Sequence, residues 1–239
     1  ARRGSALHSS PVAAFRLARA PVPVRLPPAS ARPAPRLRLS EVAHHDHTRY
    51  GHLVVEGARE YWQARPGVEP FRLLAYVSSI FPNSLIMEVG TFNGTSALAL
   101  ASEPTNRVLT VDTDPSCERK LAANNGMAVS RLRAEVPNLE MAVGNVLVEA
   151  EWKEALLRSR VIYLDTEHRP YTRPFEVEFL ALLLRIGYKG TLLLDDIHLN
   201  EEMARWWASL AFERHDLTAV GHWSGTGLLD LSGGLLVEP

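Results

Sequence analysis

Short apolar runs alternate with longer amphipathic stretches from residue 53 onward, and this alternation predicts the fold. We predict strands at the apolar runs, which are residues 85–89, 107–111, 139–143, 161–164 and 191–194. We predict helices at the amphipathic stretches, which are residues 53–64, 68–80, 96–102, 117–125, 127–135, 148–159, 173–185 and 201–212. Residues 217–222 and 227–231 predict a closing antiparallel hairpin around Ser224-Gly225. Alternating strands and helices form a mostly parallel sheet with helices on both faces, so the pattern indicates a doubly wound α/β domain.

The composition is typical of one folded domain in a reducing compartment. The chain has 239 residues, of which 46% are hydrophobic, and this is enough to bury one good core. The single cysteine, Cys117, excludes an intramolecular disulfide and a thiolate metal cluster. No run of 18 apolar residues occurs, so we expect no membrane-spanning segment.

Residues 1–40 differ in charge from the rest of the chain. They contain eight Arg and seven Pro but no Asp, Glu or Lys, which is typical of a plastid or mitochondrial transit peptide. The alternative is a disordered leader without a targeting function, and the protein would then be cytoplasmic. Residues 41–239 then form one domain, with an N-terminal helical cap at about residues 41–82. That part carries 18 basic and 27 acidic residues, a net charge of −9, which disfavours a nucleic-acid partner.

A glycine turn follows the first strand of the predicted sheet. Glu88-x-Gly90-x-x-x-Gly94 ends this strand, and an alanine-rich helix begins directly afterwards. Gly90 lets the chain turn without Cβ crowding, and Gly94 lets the helix start close to a ligand. A dinucleotide-binding turn would need glycines at positions 92 and 95, where the chain has Phe92 and Thr95, so NAD and FAD are disfavoured. The spacing resembles motif I of class I S-adenosyl-L-methionine (SAM)-dependent methyltransferases.

This resemblance implies SAM as cofactor and a seven-stranded sheet whose last pair is antiparallel. It places the SAM-binding residues at the ends of successive strands, namely Glu88, Gly90, Thr91, Gly94, Asp112, Asn145 and Asp165. Asp112 lies roughly 20 residues beyond the turn, where an acidic side chain can accept hydrogen bonds from both ribose hydroxyls. The alternative for Asp112 is the capping of a helix. Asn145 lies where the family holds the adenine ring, although Gly144-Asn145 is also an ordinary turn sequence.

Carboxylates and imidazoles follow the next two strands. Asp165 and His168 come after one strand, and Asp195, Asp196 and His198 come after the other. Converging carboxylates repel one another unless a cation neutralises them, and oxygen ligands suit Mg²⁺. Successive strand residues face opposite ways, so the Asp pair can share a metal only if the chain turns there. The alternative is that one Asp caps the next helix while the other faces solvent.

The D-x-x-H-x-x-Y segment at 165–171 and the later Asp-Asp pair resemble divalent-metal-dependent O-methyltransferases. These include the catechol and caffeoyl-coenzyme A types and the cephalosporin-hydroxylase-like and rhamnosyl O-methyltransferase-like branch. The resemblance spans about residues 68–232 and implies that Asp165, Asp195 and Asp196 bind Mg²⁺ or another divalent cation. It makes His168 the catalytic base, where the catechol enzymes have Lys. The family's Asn is replaced by Asp196, so the substrate does not follow from the catechol enzymes.

The predicted function is O-methylation of a hydroxylated small molecule that offers two neighbouring oxygens. Two other classes stay open, namely a SAM-binding fold with another reaction, such as hydroxylation, and a noncatalytic binding module. The oligomeric state is open as well, with a homodimer as one alternative. A His-rich segment, His44 to His52, suggests solvated loop or lid residues rather than a transition-metal site. Ser224 lacks the flanking pattern of a hydrolase nucleophile.

Overall fold

The computed structural model describes residues 34–166 and 175–239. Within them the strands are β1 (Arg36–Arg38), β2 (Leu85–Val89), β3 (Arg107–Asp112), β4 (Leu139–Val143), β5 (Ser159–Leu164), β6 (Thr191–Asp195), β7 (Arg214–Asp216), β8 (Thr226–Asp230) and β9 (Leu236–Glu238). The α-helices are α1 (Leu39–Val42), α2 (Arg59–Trp62), α3 (Phe71–Ile80), α4 (Thr95–Leu100), α5 (Cys117–Asn124), α6 (Val129–Glu135), α7 (Glu149–Arg158), α8 (Phe175–Ile186) and α9 (Glu201–Ser209). None of the helices in this part of the chain has the length and apolarity needed to cross a lipid bilayer.

The strands β2 to β8 form one seven-stranded sheet in the order β4-β3-β2-β5-β6-β8-β7. The pairs from β4 to β6 are parallel, whereas β8 runs antiparallel to both β6 and β7. The predicted doubly wound, mostly parallel sheet with a C-terminal antiparallel pair is therefore confirmed. The strand order reverses at β2, because β3 lies on one side of it and β5 on the other. Open α/β sheets bind ligands beyond the strand ends at this reversal.

Each face of the sheet carries its own hydrophobic core. Successive residues of β2 alternate between the two, with Ile86 in one core and Met87 in the other. Helices α3 and α4 cover the first face, and α7 and α8 supply most of the helical contacts to the second. Both faces are buried because the side-chain period of a strand is two and the central strands have apolar residues at nearly every position.

The helix predicted at residues 53–64 is wrong. The chain forms 3₁₀ turns at Thr48–Leu53 and Glu56–Ala58, and only then the short helix α2. Val54 and Val55 between the turns are extended, with ψ angles of 131° and 144°. Two β-branched residues followed by Gly57 disfavour a continuous helix, and the apolar spacing alone did not reveal this.

The first strand of the C-terminal hairpin lies earlier than predicted. Residues 214–216 pair with β8, whereas residues 217–222 belong to the connection between the two strands. The carboxylate of Asp216 accepts a hydrogen bond from the backbone N–H of Thr218 at 3.0 Å, which turns the chain away from the sheet. The connection therefore runs from residue 217 to residue 225.

A small parallel pair of strands joins the two ends of the described chain. Strand β1 pairs with β9, and the guanidinium groups of Arg36 and Arg38 contact the Glu238 carboxylate at 2.6 and 3.0 Å. These strands lie partly inside the segment predicted to be a disordered leader, so the folded unit includes residues from Arg36 onward. The rest of the predicted leader, residues 1–33, lies outside the described residues.

The His-rich segment is partly buried rather than wholly solvated. His47 is buried, and its Nε2 lies 2.6 Å from the carbonyl oxygen of Trp62. The ring of His45 packs edge-on against Tyr76, with 5.3 Å between the ring centroids. His52 instead faces Glu135 at the surface. These imidazoles stabilise the packing of the N-terminal region, because each is directed at a different neighbour.

Candidate functional site

A cavity of about 1030 Å³ lies beyond the carboxyl ends of β2, β3, β5 and β6. The predicted site residues on its wall are Gly90, Thr91, Asp112, Asn145, Asp165, Asp195 and Asp196. Residues of the N-terminal region close the cavity on another side, among them Tyr61, Glu69 and Phe71. Glu88 and Gly94 are buried and are not part of the wall, and His168 lies outside the described residues. One cavity thus gathers residues that are up to 167 positions apart in the sequence, from Val55 to His222.

The glycine turn brings the ends of β2 and β5 into close contact. Gly90 has a φ of +96°, and a Cβ built at this position would lie 1.7 Å from the carbonyl oxygen of Asp165. Gly94 has a φ of +79° at the start of α4, where a Cβ would meet the Leu121 side chain at 2.9 Å. Gly90 is therefore required by backbone conformation and by space, whereas Gly94 is favoured mainly by its positive φ, because the end of the Leu121 side chain can move.

Asp112 holds the glycine turn in place. Its Oδ2 accepts hydrogen bonds from the backbone N–H groups of Thr91 and Phe92, at 2.8 and 3.1 Å, and its Oδ1 accepts one from Asp114 at 2.8 Å. Burial alone would raise the pKa of this carboxyl, but these N–H groups outweigh burial and keep the pKa below its usual value. The Asp112 carboxylate therefore has two roles. It lines the cavity as an anion, and it stabilises the glycine turn.

Glu88 is the fourth of the five residues of β2 and is fully buried. Neither carboxylate oxygen has a hydrogen-bond partner that meets normal geometry among the described residues. Burial raises its pKa to about 7, a shift that the hydroxyls of Ser96 and Thr110 reduce and the charge of Asp112 increases. Glu88 therefore lies under the glycine turn without access to the cavity, and its predicted role as a SAM ligand stays a prediction.

We expect Glu88→Gln to alter the pH dependence of stability. The folded-state pKa of about 7 exceeds the unfolded value of 4.5, so the wild type loses stability as the pH rises from 4.5 through 7. Glutamine does not ionise, and the variant should gain about 3 kcal/mol relative to the wild type between pH 5 and pH 8, at about 1.4 kcal/mol per pKa unit. Urea unfolding at both pH values measures this difference. The exposed control Glu60→Gln should follow the wild type, and an E88Q variant without a pH-dependent gain would contradict the prediction.

Asp195 and Asp196 meet at the end of β6 because the chain turns there. Asp196 has a φ of +60°, which is uncommon for a residue with a side chain and is often found at functional sites. One carboxylate oxygen from each residue and one imidazole nitrogen of His222 all lie within 4.8 Å of one another. Because the chain turns at the Asp pair, the two side chains come to the same side and can share a metal.

His222 and Ser224 complete this cluster. The Nδ1 atom of His222 lies 3.0 Å from Asp195 Oδ2, 3.5 Å from Asp196 Oδ1 and 2.8 Å from Ser224 Oγ. The Ser224 hydroxyl also donates a hydrogen bond to Asp196. A Ser-His-Asp triad needs serine and aspartate on opposite ring nitrogens, whereas both contact Nδ1 here. The expectation that Ser224 is not a hydrolase nucleophile is consistent with this geometry.

The other ring nitrogen of His222 faces a further carboxylate. Its Nε2 lies 4.0 Å from Glu69, which is half-buried just before α3. Burial alone would lower the pKa of His222, but hydrogen bonds to Asp195 and Asp196 raise it to about 10. Burial also raises the pKa of Glu69. One imidazolium is therefore surrounded by three carboxyl groups.

Asp165 adds a fourth carboxyl group to the cavity. Burial and the neighbouring charge of Asp195 raise its pKa well above the usual range. It is not part of the compact group formed by Asp195, Asp196 and His222, so its role as a metal ligand stays a prediction. The wall carries more negative charge than His222 offsets, and this excess favours the binding of a cation.

Glu69 and His222 were not predicted as site residues, and Ser224 was considered only as a hydrolase nucleophile and not as a neighbour of the Asp pair. Strand β8 pairs antiparallel with β6, with Asp195 opposite Thr226, so the residues just before Thr226 lie beside the Asp pair. Only the strand pairing reveals this proximity, because residues 221–225 otherwise have the composition of an ordinary turn. His198, by contrast, turns outward, and its Nε2 contacts Asp216 at 2.7 Å near the surface.

Comparisons with known proteins establish the fold. No protein-family model and no curated protein matches the sequence. A candidate caffeoyl-CoA O-methyltransferase from Staphylococcus aureus is similar in structure with a TM-score of 0.52 and 14% identity, over 76% of this chain and 95% of that one. The SAH-bound Podospora anserina methyltransferase PaMTH1 is similar with a TM-score of 0.50 and 14% identity, over 77% of this chain and 88% of that one. The predicted class I methyltransferase resemblance is therefore confirmed at the level of the fold.

Proposed function

We propose that this protein is a SAM-dependent O-methyltransferase that acts on a small molecule with two neighbouring oxygens and requires a divalent cation. The observation that carries the proposal is that the glycine turn, Asp112 and the acidic strand ends all face one cavity. A volume of about 1030 Å³ can hold a cofactor of nucleoside size together with a small acceptor. Both structural relatives described above are methyltransferases, and this agrees with the proposal.

The proposed cofactor position follows from the order of the strands. The backbone at Gly90 and Thr91 lies against the part of the cavity at the strand-order reversal, where a ligand can approach the chain closely. Asp112 offers its remaining acceptor capacity to the ribose hydroxyls, and Asn145 lies further along, beside the proposed adenine position. When bound, SAM would supply a methyl group on a positively charged sulfur. The anionic wall formed by Asp165 and the Asp pair favours that charge.

The acidic residues fit a divalent cation. Asp195 is 4% exposed, and its Oδ1 has no hydrogen-bond partner among the described residues, although buried carboxylate oxygens are normally paired. Asp195 and Asp196 would hold the ion, with Asp165 beside them. A bound cation would lower the pKa of an acceptor hydroxyl and fix its orientation. The requirement for two neighbouring acceptor oxygens follows from chelation. His168 is the proposed acceptor of the hydroxyl proton, in keeping with the sequence resemblance.

Calorimetric titration of the full chain with SAM, with and without Mn²⁺ or Mg²⁺, tests the cofactor. We expect micromolar binding and then metal-dependent methylation of catechols or vicinal diols. Binding of SAM without methyl transfer to any such acceptor, combined with a reaction that consumes 2-oxoglutarate, would favour hydroxylation instead. Absence of SAM binding under every condition would overturn the proposal.

We expect Asp112→Asn to weaken SAM binding about 10- to 100-fold. The substitution removes a charged acceptor and also loosens the N–H contacts that hold the glycine turn, and hydrogen bonds to charged groups contribute about 1.5–3 kcal/mol. Asp230→Asn is the matched control, because Asp230 also ends a strand and accepts backbone hydrogen bonds, from Ser232 and Leu235. Asp230 is not part of the cavity wall, so its variant should keep wild-type affinity. Equal losses in both variants would show that Asp112 has only a structural role.

A further inference from the structure

We infer that His222 is a nitrogen ligand in the metal site, so that Asp195, Asp196 and His222 together select a first-row transition-metal ion over Mg²⁺. The inference rests on the proposed function, because the site lies in the cavity assigned to methyl transfer. A nitrogen ligand changes the expected ion from Mg²⁺ to a transition-metal ion, since the sequence resemblance implies oxygen ligands and Mg²⁺. It also gives a function to a residue that the sequence analysis did not identify.

The distances fit three ligands of one ion. Adjacent ligand atoms at about 2.1 Å from an octahedral ion lie about 3 Å apart. The Nδ1 atom of His222 lies 3.0 Å from Asp195 Oδ2 and 3.5 Å from Asp196 Oδ1. All three ligand atoms lie within 4.8 Å of one another, so small side-chain adjustments would direct them at one ion once that ion has displaced the proton from Nδ1 of His222. The three residues come from the end of β6 and from the connection before β8, which the pairing of these strands holds together.

A second observation also points to a ligand at this place. The Oδ1 atom of Asp195 is buried and has no hydrogen-bond partner among the described residues, while its Oδ2 already contacts His222. A buried carboxylate oxygen without a partner costs free energy, and a cation in the cavity would satisfy it. The cluster is therefore more than an accumulation of surface acids, because its central residue, Asp195, is only 4% exposed and lines the cavity.

The surroundings of His222 match those of a metal-binding imidazole. Histidine ligands usually direct the second ring nitrogen at a carboxylate or carbonyl group, which fixes the ring orientation. Here Nδ1 faces the two aspartates, and Nε2 lies 4.0 Å from Glu69. Glu69 is half-buried and lines the same cavity, so its carboxylate can favour this ring orientation. Glu69 is a positioning residue in this arrangement.

The ligand set determines the preferred ion. Mg²⁺ prefers oxygen ligands and keeps several waters, whereas imidazole nitrogen suits transition-metal ions, best Fe²⁺ and Zn²⁺ and to a smaller extent Mn²⁺. Two carboxylates and one imidazole on neighbouring positions leave other coordination positions for water or for the two acceptor oxygens. The site should thus bind Mn²⁺ more tightly than Mg²⁺, and His222 should cause much of that difference.

Metal titration of the full-length, metal-free protein tests the inference without SAM or acceptor. We expect His222→Ala to reduce Mn²⁺ affinity about 10-fold or more while Mg²⁺ affinity changes little, since loss of even a group that only orients a metal ligand typically costs about 10- to 100-fold. His215→Ala is the control, because His215 lies on β7 outside the cavity wall and its Nε2 faces Glu213. An equal loss for both ions, or no loss for either, would overturn the inference.

A second measurement does not depend on how well the variant folds. Pulsed electron paramagnetic resonance of Mn²⁺ bound to the wild type should show coupling to a directly coordinated ¹⁴N nucleus. The coupling should persist in His168→Ala and disappear in His222→Ala. A spectrum without ¹⁴N coupling in the wild type would overturn the assignment of His222. Metal binding is measured here independently of SAM binding, so a failure of the proposed function and a failure of this inference are distinguishable.

Discussion

Gly90→Ala is expected to destabilise the protein by about 4 kcal/mol and to abolish SAM binding. An alanine Cβ would lie 1.7 Å from the carbonyl oxygen of Asp165, so the ends of β2 and β5 would have to separate. Overpacking typically costs about 1–3 kcal/mol, and a side chain at positive φ adds about 1–3 kcal/mol of strain. Urea unfolding measures the first effect, and calorimetric titration with SAM measures the second.

Gly187→Ala separates the clash from the strain. Gly187 follows α8 with a φ of +78°, and a Cβ built there meets no atom within 4 Å. This control should cost about 1–2 kcal/mol, the strain of a side chain at positive φ without a clash, and leave SAM binding unchanged. If both variants lose the same stability, backbone conformation alone explains the requirement for Gly90. The close contact between the ends of β2 and β5 would then not support the proposed cofactor position.

The fold followed from the sequence because its strongest signals are local. Five apolar runs predicted the parallel strands, and glycine spacing identified the turn at Gly90. Both signals depend on a few adjacent residues, namely the two-residue period of a strand and the freedom of glycine at positive φ. The carboxyl ends of parallel strands then meet at one edge, so the shared position of Asp112, Asp165 and the Asp pair could be expected as well.

The missed features depend on contacts between distant parts of the chain. The 3₁₀ turns of the N-terminal region bury Tyr50, Leu53 and Ala58 in the hydrophobic core, and short apolar segments do not distinguish such turns from a helix. His222 reaches the Asp pair only through the register of β8 against β6, which no local pattern determines. The pairing of β1 with β9 joins residues about 200 positions apart and has no signal in either segment alone. The acidic strand ends were thus predictable, whereas the imidazole that accompanies them was not.

Asp165→Asn is expected to reduce methyl transfer by about 100-fold or more while it makes the metal-free protein more stable. Burial and the charge of Asp195 hold the pKa of Asp165 well above its usual range, so the ionised side chain is unfavourable in the fold. Asparagine has nearly the same shape and carries no charge. We expect a gain of about 2 kcal/mol in the free energy of unfolding, which is typical when an unfavourable charge is removed from a functional site. Methyl transfer should fall because the variant removes an anionic group beside the proposed sulfonium and metal positions.

Asp216→Asn provides a control with the opposite expected sign for stability. Burial alone would raise the pKa of Asp216, but hydrogen bonds from Thr218 and His198 keep it below the usual value, so the charged form stabilises the fold. This variant should lose stability and retain methyl transfer, because Asp216 is not part of the cavity wall. Unfolding and activity measurements on the two variants therefore give four results, and each result has an expected direction of change.

An Asp165→Asn variant that is more stable and keeps full activity would show that the Asp165 charge is not needed for methyl transfer. Loss of both activity and stability would show that Asp165 supports the fold, and the methyltransferase proposal would then depend on Asp195 and Asp196 alone.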